Sequence, residues 1–189
     1  SPDGRWLAFL APVAGAAEVH VVAVTGGEAR QITALGVSIR DIVWSPESDR
    51  LALVALRSEG EDTSDVLRVT RLRWKRDGQG LLGDRFEHLG VIPFNPAAPV
   101  GQATWLVTGR VDVARPCWSP DGRALAFVSS LNDPAWETAR HSTVYRIPVP
   151  GGQPDALARF AELRSQALAW SPDGRWLAVA GHTQDGLGH

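Results

Sequence analysis

Apolar residues in this chain come in short runs that tend towards alternation with polar ones, and clusters of turn-forming residues cut the runs apart. Arg5 to Pro12, Glu18 to Val24, Val37 to Trp44, Glu87 to Phe94, Val111 to Trp118, Arg123 to Ser129 and Thr143 to Val149 are such runs, rich in Val, Ile and aromatic residues. That pattern predicts half-buried and fully buried β-strands. Glu28 to Thr33 is short and polar, as an outer edge strand should be. Trp105 to Thr108 and Gln153 to Ala158 read as the matching outer strands of later units. One stretch competes: Pro154 to Ala167 also has the composition of an amphipathic helix, although the repeat register favours a strand followed by a loop.

The register comes from a phrase that recurs four times. It runs Ser1-Pro2-Asp3-Gly4-Arg5, then Ser45-Pro46-Glu47-Ser48-Asp49, then Ser119-Pro120-Asp121-Gly122-Arg123, then Ser171-Pro172-Asp173-Gly174-Arg175. A Leu follows each at a constant distance, at Leu7, Leu51, Leu125 and Leu177, and Trp44, Trp118 and Trp170 precede the last three. Pro presets φ at the first central turn position, Asp suits the second, and Gly accepts the left-handed conformation. Strand, tight turn, strand is a hairpin. The second copy is degenerate, and Ser48 in the glycine position is expected to cost roughly 1 kcal/mol.

Each unit therefore reads as four short strands, with a Gly-Gly turn (Gly26-Gly27, Gly151-Gly152) before the fourth. The boundaries are 1–36 for a partial unit, 37–109 for a unit with an insertion at about 58–84, 110–164 for a whole unit, and 165–189 for a second partial unit. The insertion explains why Ser45 to Ser119 is the longest step. It opens acidic (Glu59, Glu61, Asp62, Asp65) and turns basic and alternating at Arg71 to Lys75, which predicts an extra strand with Leu72 and Trp74 on one face. Asp77-Gly78-Gln79-Gly80 is turn-like. A loop with Asn132-Asp133-Pro134 spans Ser130 to His141.

Repeated four-stranded antiparallel units predict an all-β chain: an arc of a β-propeller, two complete blades and two partial ones. Such an arc leaves core residues bare at both ends, so this stretch alone is expected not to fold as a stable monomer. The 189 residues include no Met and begin inside the phrase, so the sequence is expected to be a stretch of a longer protein. Any signal peptide would lie upstream.

Composition adds mainly exclusions. A net charge of −2 gives no electrostatic case for a nucleic-acid or membrane partner, and no apolar run is long enough for a membrane span. The one cysteine, Cys117, precludes an intrachain disulfide and, beside Trp118 in an apolar strand, is expected to be a buried, inert thiol.

The phrase, with the stretch Val19 to Thr33, resembles the TolB-like propeller repeat. A narrower likeness runs through Arg71 to Gly80, Arg85 to Leu89, Leu106 to Gly109 and Val111 to Gly122. It resembles the N-terminal propeller of prolyl-oligopeptidase-family serine peptidases, of the acylaminoacyl-peptidase or dipeptidyl aminopeptidase type. Gly90 departs from that pattern, where a large apolar residue is usual, as does Glu47-Ser48. The resemblance implies a two-domain serine hydrolase whose propeller covers the active site of a separate α/β-hydrolase domain and admits short or acylated peptides. It implies as partners that hydrolase domain, short peptides and a homo-oligomer, and a cytoplasmic setting. The catalytic Ser, Asp and His of such enzymes lie on the hydrolase domain. This chain has no Gly-x-Ser-x-Gly elbow. No catalytic, cofactor-binding or metal-binding residue is assigned to it, and no cofactor is expected. The rival readings are a stand-alone TolB-like propeller acting as a protein-binding scaffold, and a propeller that is itself an enzyme.

The remaining candidates have simpler structural readings. His20, His88, His141, His182 and His189 have no metal-ligand spacing. His20 reads as a strand-face residue and His88 as structural. Asp3, Asp121 and Asp173 look like repeated ligands but are explained by turn geometry. The Gly-Gly pairs lack the helix and lysine of a phosphate loop. The basic strand Arg71 to Arg76 with Trp74 could attract an anion, yet the acidic segment before it favours a solvated, mutually paired insertion.

Overall fold

The computed structural model describes residues 1–58, 75–76, 80–81, 85–98, 100–131, 142–160 and 168–179. All the regular elements among them are strands. β1 (Trp6–Val13), β2 (Ala16–Ala23) and β3 (Arg30–Gln31) form the first sheet, in that order. The second sheet is built from β4 (Ser38–Trp44) and β5 (Arg50–Ser58), then β8 (Arg85–Pro93) and β9 (Thr104–Val107). β6 (Lys75–Arg76) and β7 (Gly80–Leu81) form a separate small hairpin between β5 and β8. The third sheet is β10 (Val113–Trp118), β11 (Ala124–Ser129), β12 (Ser142–Pro148) and β13 (Asp155–Phe160). β14 (Leu168–Trp170) pairs with β15 (Leu177–Val179). All of these pairings are antiparallel.

The strand reading of the stretch after Pro154 holds over Asp155–Phe160, where β13 bonds along the edge of β12; 161–167 lie outside the described residues. Pro148 sits at the end of β12 opposite Ala124, beyond the last pair that β12 makes with β13. Its missing N–H therefore faces no strand. β3 is shorter than the expected Glu28–Thr33. The chain turns inward just after it, leaving Ile32 8% and Thr33 0% exposed. Of the predicted basic strand, only Lys75 and Arg76 are described; Leu72 and Trp74 lie outside, as do Asn132 to Pro134.

Side chains alternate across a strand, so one strand feeds two cores. In β5, Leu51, Leu53 and Ala55 join Val19, Val21, Ile39 and Ile92 in a core between the first and second sheets. Ala52 and Val54 point the other way, and with Leu89 and Val91 they pack on Leu125, Phe127 and Ile147 of the third sheet. Leu51 to Leu56 are therefore all buried, which is why the alternation fades there in the sequence. Burying a Leu or Phe contributes about 1.5–3 kcal/mol relative to exposure. Leu7 lies at the position of Leu51 and Leu125 in the phrase, yet it is 59% exposed while they are fully buried. No described sheet packs on that face of β1.

The phrase turn is the same object in all four copies. The backbone N–H at the glycine position donates to the Ser carbonyl, at 2.9–3.0 Å in every copy. The Ser hydroxyl accepts from the backbone N–H of Trp6, Arg50, Ala124 and Trp176 in turn, at 2.9–3.0 Å. Gly4, Gly122 and Gly174 have φ of 65–71°, and Ser48 adopts 59°. Ser48 thus takes the strained conformation expected of it, and its hydroxyl accepts a bond from the backbone N–H of Asp3 at 3.2 Å. The Ser hydroxyl donates to Asp3, Asp121 and Asp173 at 2.5–2.6 Å in the first, third and fourth copies. In the second copy, where Glu47 replaces that Asp, Ser45 donates to Asp49 instead, at 2.8 Å. The acceptor has moved along the turn rather than disappeared.

Candidate cleft on the inner strands

β4, β10 and β14 come first in their sheets, and each has one edge unpaired within its sheet. A cleft of about 490 Å³ opens across them. Val43, Trp44, Pro116, Trp118 and Leu168 supply apolar lining, and Asp41 and Arg115 supply charge. Cys117 also lines it.

Both charged residues lie at bulges: Asp41 next to one, Arg115 within the other. In β4 the pairing with β5 slips between Ile39 and Asp41, and in β10 the pairing with β11 slips between Ala114 and Cys117. A bulge bends its strand and re-aims side chains. Arg115 sits within the second bulge at a φ of 58°, a left-handed conformation for a non-glycine residue. No alternation pattern reveals a bulge, so sequence reading missed Asp41 and Arg115.

Cys117 is half-buried rather than buried, because it lies on the cleft instead of inside a core. Burial nonetheless pushes its thiol above the usual value, against an opposing bond from the Trp170 backbone N–H, and that keeps it protonated. Asp3, Asp121 and Asp173 are held below the usual carboxylate range by the Ser hydroxyl of their own turn first, and then by the backbone N–H of the following Arg. Burial pushes Asp49 up, but the Ser45 hydroxyl and Arg50 together outweigh it and the net direction is down. Each of these carboxylates is occupied by its own turn. Among the described residues no three His, Cys, Asp or Glu side chains gather where a metal ion would need them.

His88 is fully buried in β8. Its Nε2–H donates to the Gly109 carbonyl at 2.9 Å, which leaves Nδ1 facing Arg57 Nη1 at 3.4 Å. Trp105 completes this cluster, with the Arg57 guanidinium 4.2 Å above its ring. It also explains Gly90: a Cβ there would come within 2.9 Å of the Trp105 ring, so the indole fills the space that a large side chain would take. His20 stacks on Phe9 at 5.7 Å on the face of the first sheet. His141, His182 and His189 lie outside the described residues, as do Arg71 to Trp74.

One buried carboxylate escaped the sequence reading. Glu18, 2% exposed, accepts from the Thr33 hydroxyl at 2.6 Å and from the Gly36 N–H at 2.9 Å. Thr33 in turn accepts from the Val19 N–H at 2.8 Å. This network gives each Glu18 carboxylate oxygen a donor and fastens the outer part of the first sheet.

Several contacts run from one sheet to the next. Trp118 Nε1 donates to the Val43 carbonyl at 3.0 Å. Arg50 reaches the Gly122 carbonyl at 3.2 Å, with its guanidinium 5.1 Å over the Trp118 ring. Two four-stranded antiparallel sheets, flanked by a three-stranded and a two-stranded one, stack in succession with β4, β10 and β14 on one side. These sheets are β-propeller blades.

Comparison with solved structures gives the same fold. The orthorhombic form of the acylaminoacyl peptidase from Pyrococcus horikoshii superposes with a TM-score of 0.64 at 16% identity, over 85% of this chain and 25% of that one. A TolB-type protein from Agrobacterium tumefaciens gives 0.61 at 15% identity, over 97% of this chain and 57% of that one. Among curated proteins, the peptidase YuxL of Bacillus subtilis (strain 168), itself uncharacterized, is 31% identical over 144 residues. That match takes in 70% of this chain but only 21% of YuxL, so the chain spans about a fifth of that relative's length. No family model matches the chain. The likenesses fit a propeller segment of a peptidase.

Proposed function

We propose that this chain is the propeller segment of a serine peptidase of the prolyl oligopeptidase family, acylaminoacyl-peptidase type. Its role there is to admit and select short or acylated peptides for a separate α/β-hydrolase domain that carries the chemistry. The observation that supports this most is the 31% identity to a protein named as a peptidase, over most of the blades described here. The partners proposed are that hydrolase domain, short peptides and further copies of the same chain, in the cytoplasm. The insertion at about 58–84 is proposed to reach the hydrolase domain or a neighbouring subunit.

The deciding experiment uses the full-length protein. Blocked aminoacyl substrates should be hydrolysed, and a serine-directed inhibitor should abolish the reaction. The downstream coding sequence should hold a Gly-x-Ser-x-Gly strand-turn-helix followed by Asp and His. An inert full-length protein without that elbow overturns the reading. Deleting Glu59 to Asp84 should alter peptide-length selectivity or oligomeric state; no change in either removes the proposed role of the insertion. The second reading, a stand-alone TolB-like scaffold, is favoured by the TolB-type likeness over 97% of this chain. It predicts a reading frame that ends once the propeller closes.

A further inference from the structure

The repeat lets the junctions between blades be compared position by position. Among the described residues, the junction between the third blade and the β14–β15 hairpin is the least secured. The turns do meet there: a Cβ on Gly174 would lie 3.8 Å from Pro120, as one on Gly122 would lie 3.8 Å from Pro46. The ties around that contact differ. Trp118 Nε1 donates to the Val43 carbonyl at 3.0 Å across the preceding junction, whereas Trp170 Nε1 is buried with no partner. A buried donor left unpaired costs free energy instead of supplying it. Arg50 reaches the Gly122 carbonyl at 3.2 Å, but its place in the third phrase is held by Ala124, which has no group to reach Gly174. Ala52 and Ala126 also share a phrase position, and their partners on the next strand are Val91 and Arg146. Val91 is buried in the core between the second and third blades. Arg146 is exposed and lines a gap of about 600 Å³ between the third and fourth turns. Two residues along, Leu89 corresponds to the smaller Val144. One bond that does cross the junction runs from the Trp170 backbone N–H to the Cys117 sulfur, a weak acceptor.

We propose that the propeller parts at this junction, between β10 and β14, and that short peptides pass through the opening. The inference rests on the peptidase reading for what passes, and it assigns the admission step to one junction. Parting there exposes small side chains and gives the Trp170 indole N–H the water it lacks when closed. Parting at the preceding junction would break the Trp118 and Arg50 bonds and open the core around Phe127.

Hydrogen exchange of the full-length protein, read by peptide mass spectrometry, tests the parting, because exchange reports local opening. Hydrolysis of N-acetyl-trialanine tests the passage. Ala124→Arg restores the residue that ties the preceding junction, and Arg146→Val restores the apolar contact made there by Val91. Each should slow exchange of residues 168–179 about tenfold, the change that roughly 1.4 kcal/mol produces. Each should also lower kcat/KM by a similar factor, since opening precedes binding. Arg50→Ala loosens the preceding junction and should leave kcat/KM unchanged. Arg146 is exposed, so its variant tests the idea even if Ala124→Arg fails to fold. Unaltered exchange of 168–179 in the folded variants overturns the parting. Slowed exchange with unaltered hydrolysis overturns the passage. If the parent protein hydrolyses nothing, the peptidase reading falls, and exchange still decides whether the junction parts.

Discussion

The second blade meets the first and the third through different devices, although the phrase repeats at both junctions. Towards the first blade the contact is aromatic. Trp6 and Trp44 both stand edge-on to Phe94, at 5.5 and 4.7 Å. Arg30 donates to the Pro96 and Ala98 carbonyls, and Thr33 bridges to Gly101. Towards the third blade the contact is directional and polar at its tip: the Trp118 indole on the Val43 carbonyl, and Arg50 over that indole. Arg50 stands at the phrase position held by Trp6, Ala124 and Trp176 elsewhere. The degenerate copy is therefore the one whose following junction carries a cation. The repeat sets how each hairpin bends, and the residues that vary within it decide how neighbours are joined.

Cavity-forming substitutions should break that comparison hardest. Phe127→Ala empties the core between the second and third blades and should cost about 3–5 kcal/mol in urea unfolding of the intact protein. Leu53→Ala, on the opposite face of β5, should cost about 2–5 kcal/mol. If either proves neutral, that junction is not a packed core. Trp118→Phe keeps most of the apolar area and deletes the bond to Val43, and should cost about 1 kcal/mol. Trp6→Phe should cost less, because the edge contact of Trp6 on Phe94 across the first junction is backed by the aliphatic core and by the Arg30 bonds to the Pro96 and Ala98 carbonyls.

Acid gives a smaller and more general test. Asp3, Asp121 and Asp173 have folded-state pKa values lowered from 3.8. Their stabilisation is present above that value and is lost as pH falls through the lower folded value. Melting midpoints should therefore drop below about pH 4, and Asp121→Asn should lose less over that window than the parent. An unchanged slope would mean that the turn bonds contribute nothing. The smallest effect belongs to Ser48→Gly. Relief of the left-handed strain, about 1 kcal/mol, is set against loss of the bond from Asp3, so the net change should stay within about 0.5 kcal/mol. A large gain would show that the bond between the two turns is idle.

Much of the fold was legible because the phrase combines two independent signals: turn chemistry at Ser-Pro-Asp-Gly and period-two apolar residues on either side. Those signals mark the strand centres, and the Ser at a glycine position marks Ser48, which does take a left-handed φ of 59°. What escaped was whatever depends on a partner strand. The bulges beside Asp41 and at Arg115 are mismatches between two strands and leave no mark on either one. Glu18 begins a β-branched run and looks exposed until Thr33 and Gly36 close over it. Gly90 stood out as a departure, but its reason lay across the sheet at Trp105.

The displaced acceptor in the second turn also restricts how this sequence can change. Suppose Asp49 were replaced by the Arg usual at its position while Glu47 remained. Ser45 would lose the acceptor it now has and Arg50 its ion partner at 3.1 Å, with no other change to compensate. Replacing Glu47 with Asp first would give one hydroxyl two possible acceptors, which is tolerable. Only after that step can Asp49 be released. A lineage moving between the degenerate turn and the regular one therefore has a permitted order of substitutions, and the reverse order passes through a weakened protein.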